Sequence, residues 1–219
     1  MALAQLVAER PPPAAAPIAP PTQPAWRTRL VASLHSHEKQ SHSRYVQLAT
    51  VRPDGRPANR TMVFRDFVSH DDDSLVFVAD SRSRKMKELA YSRAAEVAWY
   101  FPCSREQYRL TGELDVVDGT TTEPNLIKAR RRGWATMSDS ARQQWVWPQP
   151  GAPRDNDPAV WTKRAPGPDE PPVDTFILLV LRVEEVELLV LSSPSTCTHY
   201  SREVGPDGNY FWLEESLNP

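Results

Sequence analysis

The sequence is poor in glycine and cysteine, and it has no long hydrophobic run. Only 8 of its 219 residues are glycine, and no glycine-rich nucleotide-binding loop or Gly-x-Ser-x-Gly motif occurs. The longest apolar run, Phe176 to Leu181, has the length of a buried strand and is too short for a membrane span. We therefore expect a soluble protein with no membrane partner, whose chemistry does not come from these nucleotide or hydrolase motifs.

Metal ligands and a secretory leader are also missing. The 2 cysteines, Cys103 and Cys197, form no Cys-x-x-Cys pair, and the 5 histidines lack the spacing of metal ligands. We expect no metal site, and free thiols in a reducing, cytoplasmic compartment. Residues 1–24 lack the apolar segment of a secretory signal and are predicted to form a disordered Ala/Pro-rich tail, although organelle targeting by this tail stays open.

Proline is abundant instead, and it is concentrated in two places. Of the 22 prolines, seven lie in residues 11–24 and eight in residues 148–172. Because proline has no N–H and a fixed φ, such stretches cannot form helix or sheet interiors. The sequence thus predicts one domain, residues 25–219, within which residues 148–172 are a proline-rich loop or a mobile linker.

The charge is unevenly distributed. Residues 25–113 carry 15 basic and 11 acidic side chains, whereas residues 174–219 carry 2 and 8. This excess is too small for a nucleic-acid-binding domain, and the Arg130–Arg132 run has no aromatic stacking platform beside it. We expect no nucleic-acid partner and favour a small phosphorylated ligand.

The hydrophobic periodicity predicts mostly strands. Helices are expected at 26–40, after Ser83 as the N-cap, and over 125–147. Strands are expected at 44–51, 59–67, 74–79, 96–101, 107–117, 176–183, 186–191 and 210–213. Many strands joined by short turns, without regular βαβ alternation, favour a mainly β protein, an antiparallel β-barrel with peripheral helices.

Two basic clusters are candidates for binding an anion. Arg60 and Arg65 share a strand, but their five-residue offset puts them on opposite faces unless a bulge intervenes. Ser83, Arg84 and Lys85 start a helix, where charged side chains and free N–H groups together could bind a phosphate. The alternative for this second cluster is an ordinary solvated helix start.

In their order along the chain, five blocks resemble the pyridoxamine 5'-phosphate oxidase family, the FMN-binding split barrels. The blocks are Leu48–Val51 with its Asp54-Gly55 turn, Arg60–Arg65, Asp80–Leu89, Glu106–Gly112, and the closing Glu184–Leu189 with Leu217–Pro219. The arginine-rich middle, with Trp134, Ser138-Asp139 and Trp147-Pro148, is similar to the cyanobacterial and plant branch of that family.

The resemblance implies a split barrel with an antiparallel, Greek-key-like six-stranded core, and a homodimer with FMN at its interface. No catalytic residue is assigned, but Arg65 is a candidate contact to both substrate and flavin. Gln107 and Arg202 are expected to come from the partner chain. The FMN-binding residues it implies are Arg60, Thr61, Met62, Val63, Phe64, Arg65, Val78, Ala79, Ser83, Arg84, Lys85, Gln107 and Arg202.

The activity implied is that of an FMN-dependent oxidoreductase of vitamin B6 metabolism. Hydride would pass from pyridoxamine or pyridoxine phosphate, or a related small molecule, to FMN, and O₂ would reoxidise the flavin. Arg65 and Arg130–Arg132 would anchor the substrate phosphate. The sequence departs from the family at Thr198 and Tyr200, which replace an Arg and a His, and at Leu189, which replaces a flavin-stacking Trp. Two alternatives therefore stay open: an FMN-binding protein that stores, senses or carries flavin without oxidase activity, and a flavin reductase acting on another substrate.

Overall fold

A computed structural model describes residues 23–219, so almost all of the predicted tail lies outside the described residues. Within them, none of the helices combines the length and the apolar character needed to cross a membrane. The helices are α1 (Ala25–Ser36), α2 (Lys85–Tyr91), α3 (Pro124–Ala135) and α4 (Asp139–Gln143), with short 3-10 helices at Gln144–Val146 and Pro158–Trp161. The strands are β1 (Tyr45–Val51), β2 (Pro57–Ser69), β3 (Asp72–Asp80), β4 (Ala94–Phe101), β5 (Glu106–Val117), β6 (Phe176–Val190), β7 (Thr196–Val204) and β8 (Tyr210–Leu217).

Six antiparallel strands close into a barrel. The strand order is β3-β2-β1-β4-β5-β6, and pairing of β3 with β6 closes the ring. Neighbours such as β1 and β4 are not consecutive in the chain, as in a Greek key. Strands β7 and β8 extend the sheet from the second half of β6. The predicted mainly β, antiparallel barrel with peripheral helices is confirmed.

The prediction of two strands around Glu184-Glu185 is wrong, because Phe176–Val190 is one continuous strand. The register slips by one residue opposite Thr111 and Gly112, and this β-bulge absorbs the exposed glutamate pair. Gly112 allows the close approach there, since a Cβ on it would lie 1.9 Å from the Arg182 carbonyl oxygen. Two adjacent glutamates in a sequence therefore suggest a turn, whereas the pairing with β5 shows that they lie at a bulge inside one strand.

Strand β7 was not predicted, and the long predicted helix over 125–147 is interrupted. Most side chains of β7 are polar or only half-buried, although Tyr200 packs in the barrel core, so its periodicity is weak. The helix breaks between Ala135 and Asp139, where the Ser138 hydroxyl accepts a hydrogen bond from the Ala141 N–H and starts α4.

Two hydrophobic cores lie on opposite faces of β3 and β6. The barrel interior contains Leu75, Phe77 and Leu179, whereas alternate residues of β6 face outward. On that outer face, Phe176 and Leu178 pack against Trp134 of α3. This second core brings α3 and the segment after it to the outside of β3.

The proline-rich segment, residues 148–172, is irregular but packed. Its carbonyl oxygens accept hydrogen bonds from side chains of the preceding helices: Arg142 Nε to Pro166 (2.8 Å), Gln143 Nε2 to Lys163 (2.7 Å) and Trp134 Nε1 to Gly167 (3.2 Å). A segment short of N–H donors is thereby held through its acceptors.

Candidate functional site

A cavity of about 490 Å³, here called cavity A, opens between the barrel and the proline-rich segment. We call its two sides the barrel wall and the proline-rich wall. The barrel wall consists of Met62, Arg65, Val78, Ala79, Asp80 and Lys85. The proline-rich wall includes Trp145, Trp147, Pro148, Arg154 and Trp161. Five residues of the predicted FMN set, Met62, Arg65, Val78, Ala79 and Lys85, therefore meet in one cavity.

A β-bulge directs Arg65 toward this cavity. In the β2–β3 ladder Phe64 pairs with Phe77 and Asp66 with Val76, which leaves Arg65 without a partner on β3. Arg65 also lines a second cavity of about 280 Å³, cavity B. Burial and, secondarily, the nearby charge of Arg44 lower the pKa of the Arg65 guanidinium. Arg65 thus stands at the junction of two cavities.

Arg60 is held away from Arg65, at the edge of α2. Its guanidinium donates to Thr50 Oγ1 (2.6 Å) and forms an ion pair with the buried carboxylate of Glu88. Burial alone would raise the pKa of Glu88, but hydrogen bonds from Thr50 and Arg60 and the charge of Arg60 hold it below the ordinary value. Arg60 therefore fixes α2 to the barrel.

The Ser83–Lys85 turn differs from the prediction at its first residue. Ser83 is not the N-cap, because α2 starts one residue later than predicted, with Arg84 as its cap residue and no side-chain cap bond. The Ser83 hydroxyl instead donates to the carbonyl oxygen of Asp80 (2.6 Å) and accepts from Lys85 Nζ (3.0 Å). Burial and the neighbouring charge of Arg60 lower the pKa of Lys85, while Arg84 is exposed.

The donor set of cavity A fits a phosphorylated cofactor with a flat ring. Arg65 and Lys85 line cavity A, and Arg84 precedes Lys85 in the chain. Among the described residues, none of these three cations has a carboxylate within ion-pair distance, and Asp80 of the barrel wall is paired with Arg82, so a bound dianion would meet positive charge. Met62, Val78 and Ala79 add an apolar surface beside these cations. The residues present thus fit FMN, which the resemblance implies.

The other predicted FMN residues lie elsewhere in the same chain. Phe64 is buried in the barrel core against Trp99, and Thr61 bonds to Gln47 on the outer face of the barrel, which it shares with Val63. Gln107 lies on β5, opposite Tyr100 and Leu189. Arg202 of β7 stacks on Tyr210 at 3.9 Å. Neither Gln107 nor Arg202 lines cavity A of its own chain.

The arginine run of α3 has divided roles. Arg130 donates to the carbonyl oxygens of Val173 and Phe176, so it supports the fold, and it lines neither cavity. Arg131 is exposed. Arg132 lines cavity B with Arg44 and Thr136, while it also donates to Phe67 and Val68 carbonyls.

Sequence reasoning missed the proline-rich wall and the residue that ties it to the barrel. Arg82 is paired with Asp80 (2.6 Å) and donates to the carbonyl oxygen of Trp147 (3.0 Å). Trp161 and Arg154 stand in the segment interpreted as a loop. Tryptophan and arginine within a proline-rich stretch were the available signal, because both side chains supply donors that prolines lack.

A closed barrel that carries adjacent cations, Arg84 and Lys85, at the edge of a cavity of this size is typical of a cofactor-binding barrel protein. Residues 23–118 match the family model described as "Pyridoxamine 5'-phosphate oxidase, FMN-binding domain". The chain belongs to the pyridoxamine 5'-phosphate oxidase family, and its cofactor is FMN.

Relatives from a plant and a cyanobacterium agree with the predicted branch. The chain is 34% identical over 194 residues to pyridoxine/pyridoxamine 5'-phosphate oxidase 2 of Arabidopsis thaliana, covering 89% of this chain and 96% of that protein. A solved structure of a pyridoxamine 5'-phosphate oxidase-related, FMN-binding protein from Nostoc punctiforme is 38% identical, with a TM-score of 0.81 over 90% of this chain and 99% of that one. PhzG from Burkholderia lata, at 22% identity and a TM-score of 0.68 over 91% of this chain and 94% of that one, shares the fold.

Proposed function

We propose that this protein is an FMN-dependent oxidoreductase acting on a small phosphorylated substrate, pyridoxamine or pyridoxine phosphate or a related molecule. The observation that carries the proposal is the position of Arg65, which lines both cavity A and cavity B. One guanidinium can then contact both the cofactor and the substrate. An enzyme that transfers hydride between them needs such a group, because the two must be held close together. When bound, FMN supplies a hydride acceptor that O₂ reoxidises to give peroxide.

At cavity A, Lys85 of the lining and the adjacent, exposed Arg84 hold the FMN phosphate; we call this pair the phosphate clamp. Lys85 is the better fixed of the two, since its ammonium group donates a hydrogen bond to Ser83 Oγ at 3.0 Å. Burial lowers the pKa of Lys85. A bound phosphate would restore the charge balance of this partly buried cation. Met62 and Ala79 would pack against the remainder of the cofactor.

In cavity B, Arg44, Arg65 and Arg132 hold the substrate phosphate. Asp66 lies 3.4 Å from Arg132 and is the only carboxylate among the residues that line this cavity. Three cations against one anion leave a positive balance, and the Thr136 hydroxyl adds a donor. Arg65 would thus orient the substrate toward the cofactor, while the cavity walls exclude part of the solvent.

The proposal includes a homodimer, because cavity A receives neither Gln107 nor Arg202 from its own chain. The outer barrel face that carries Gln107 also exposes Tyr45 and Tyr100, with 48% and 47% of their surface accessible. Aromatic side chains of this kind are enriched in protein interfaces. Light scattering of the purified protein tests this part, and a monomer that retains FMN and activity would contradict it.

Absorbance and peroxide production test the activity. We expect a yellow protein whose flavin spectrum bleaches anaerobically with pyridoxamine or pyridoxine phosphate and whose aerobic turnover yields peroxide. The Arg65→Ala variant should lose turnover while the Arg131→Ala variant, altered at an exposed position outside both cavities, keeps it. Substrate-dependent bleaching no faster than with free FMN would exclude the oxidase activity on these substrates.

A second function, flavin binding without oxidase activity, is favoured by one observation. Tyr200, which stands where the family has a His, is 5% exposed and packs in the barrel core, so its side chain does not face either cavity. A protein that binds FMN but bleaches with none of the vitamin B6 phosphates would support this reading. Bleaching by a reduced nicotinamide would instead support a flavin reductase.

A further inference from the structure

The proline-rich wall of cavity A contains three indoles, of which Trp145 packs against Trp134 and Phe176 while the other two contact each other. The rings of Trp147 and Trp161 line the cavity and contact each other edge to face, with centroids 5.7 Å apart and planes at 69°. Both side chains are only half-buried. Half-buried indoles at a cavity leave ring surface that a ligand can cover.

The polar edges of both indoles are already satisfied within the segment. Trp147 Nε1 donates to the carbonyl oxygen of Trp161 at 3.2 Å, and Trp161 Nε1 donates to that of Asp155 at 3.1 Å. The Arg154 guanidinium lies 4.6 Å from the centroid of the Trp161 ring, a cation–π contact. With their N–H groups occupied, the two indoles offer a ligand their aromatic surfaces and no hydrogen-bond donor.

Arg82 ties this wall to the phosphate clamp. Its guanidinium is paired with Asp80, two residues along the chain, and bonds to the Trp147 carbonyl oxygen, 65 residues further on. Arg84 and Lys85 follow Arg82 directly in sequence. A planar guanidinium held by several bonds fixes the separation between clamp and indoles more closely than a flexible lysine would. When the phosphate of a ligand binds at Arg84 and Lys85, the rest of that ligand therefore lies beside indoles whose distance from the phosphate is fixed.

We infer that Trp147 and Trp161 form a flavin-contacting wall, packing against the ring system of FMN in cavity A, with Arg82 as the residue that positions them. This inference rests on the proposed cofactor site. A direct indole contact has an optical consequence: an excited flavin takes an electron from the indole and returns it without emitting light, so its fluorescence is quenched.

Fluorescence and affinity of the full-length protein reconstituted with FMN test the inference. Trp147→Phe and Trp161→Phe keep an aromatic surface but not an oxidisable indole, so bound FMN should become several-fold brighter with little change in affinity. Trp147→Leu removes most of the ring contact and should weaken FMN binding about tenfold, since a flat ring system loses the stacking that an aromatic side chain gives it.

Trp212→Phe is the matched control. Its indole donates to Asp73 Oδ2 at 3.2 Å and packs against Trp26, outside the lining of cavity A. This variant should leave both FMN fluorescence and affinity unchanged. Arg82→Ala retains both indoles but releases their wall, so a gain of fluorescence there would support the positioning role.

The outcomes separate this inference from the cofactor site itself. If Arg84→Ala/Lys85→Ala loses FMN while both Phe variants bind it with unchanged, quenched fluorescence, the flavin-contacting wall is wrong and the cofactor site stands. If the double clamp variant binds FMN with wild-type affinity, the cofactor site is wrong. Because the Phe variants are conservative, the fluorescence result does not depend on whether the Leu variant folds.

Discussion

The two walls of cavity A are built by different physical means. Apart from Lys85 at the start of α2, the barrel wall consists of residues of β2 and β3, and β3 is paired with β6 in a continuous ladder from Leu75 to Asp80. The proline-rich wall has two short 3-10 helices, and indole and guanidinium donors bond to its carbonyl oxygens. Ladder pairing is cooperative along a strand, whereas each side-chain bond acts at one point. The difference indicates that the strand part of the barrel wall is rigid and that the opposing wall depends on a few side chains.

The largest expected effect comes from removing the charge on the barrel wall. Arg84→Ala/Lys85→Ala should reduce FMN affinity at least about a hundredfold, because hydrogen bonds to charged groups each contribute about 1.5–3 kcal/mol. Titration of the apoprotein with FMN measures this loss. Lys87→Ala, an exposed change on the same helix, is the control. If Lys87→Ala lowered the FMN affinity as much as the double variant does, α2 would act only through its net charge.

An intermediate effect is expected from breaking an anchor of the proline-rich wall. Arg142 is 2% exposed and donates to the carbonyl oxygens of Met137 and Pro166. Arg142→Ala should lower the free energy of unfolding by about 2–3 kcal/mol, since it leaves buried carbonyl acceptors without a hydrogen bond. Limited proteolysis should then cleave residues 148–172 well before the barrel strands, whereas Arg131→Ala should not. Simultaneous cleavage of barrel and segment would show that the two walls unfold together.

A smaller effect is expected from acid. The pKa of Glu88 is lowered in the folded state, so its ion pair with Arg60 stabilises the protein above the ordinary glutamate value of 4.5. That contribution is lost as the pH falls from 4.5 through the lowered pKa. We expect the unfolding temperature of Glu88→Gln to depend less on pH in this range than that of the wild type. Parallel pH curves for the two proteins would contradict the assignment.

Local sequence patterns predicted most strands of the barrel and some of the residues that line cavity A. Alternating residues such as Val46, Leu48 and Thr50 predicted β1 correctly, because the period of side-chain direction in a strand is a local property. Lys85 was found in the same way, from adjacent residues that share a charge. The continuity of β6 could not be found locally, because the bulge at Glu184-Glu185 exists only in relation to Gly112 of the paired strand.

By itself, the sequence determined the class of fold, the adjacent cations Arg84 and Lys85 where α2 begins, and the positions of the proline-rich stretches. Only the tertiary structure decided that Arg65 turns into cavity A while Arg60 binds Glu88, because that depends on which residue of β2 lacks a partner on β3. It also decided that the proline-rich stretch and the two tryptophans just before it, Trp145 and Trp147, form one wall of cavity A. The bond from Arg82 to Trp147 spans 65 residues, and no local pattern specifies a contact between a guanidinium and a carbonyl oxygen so far along the chain.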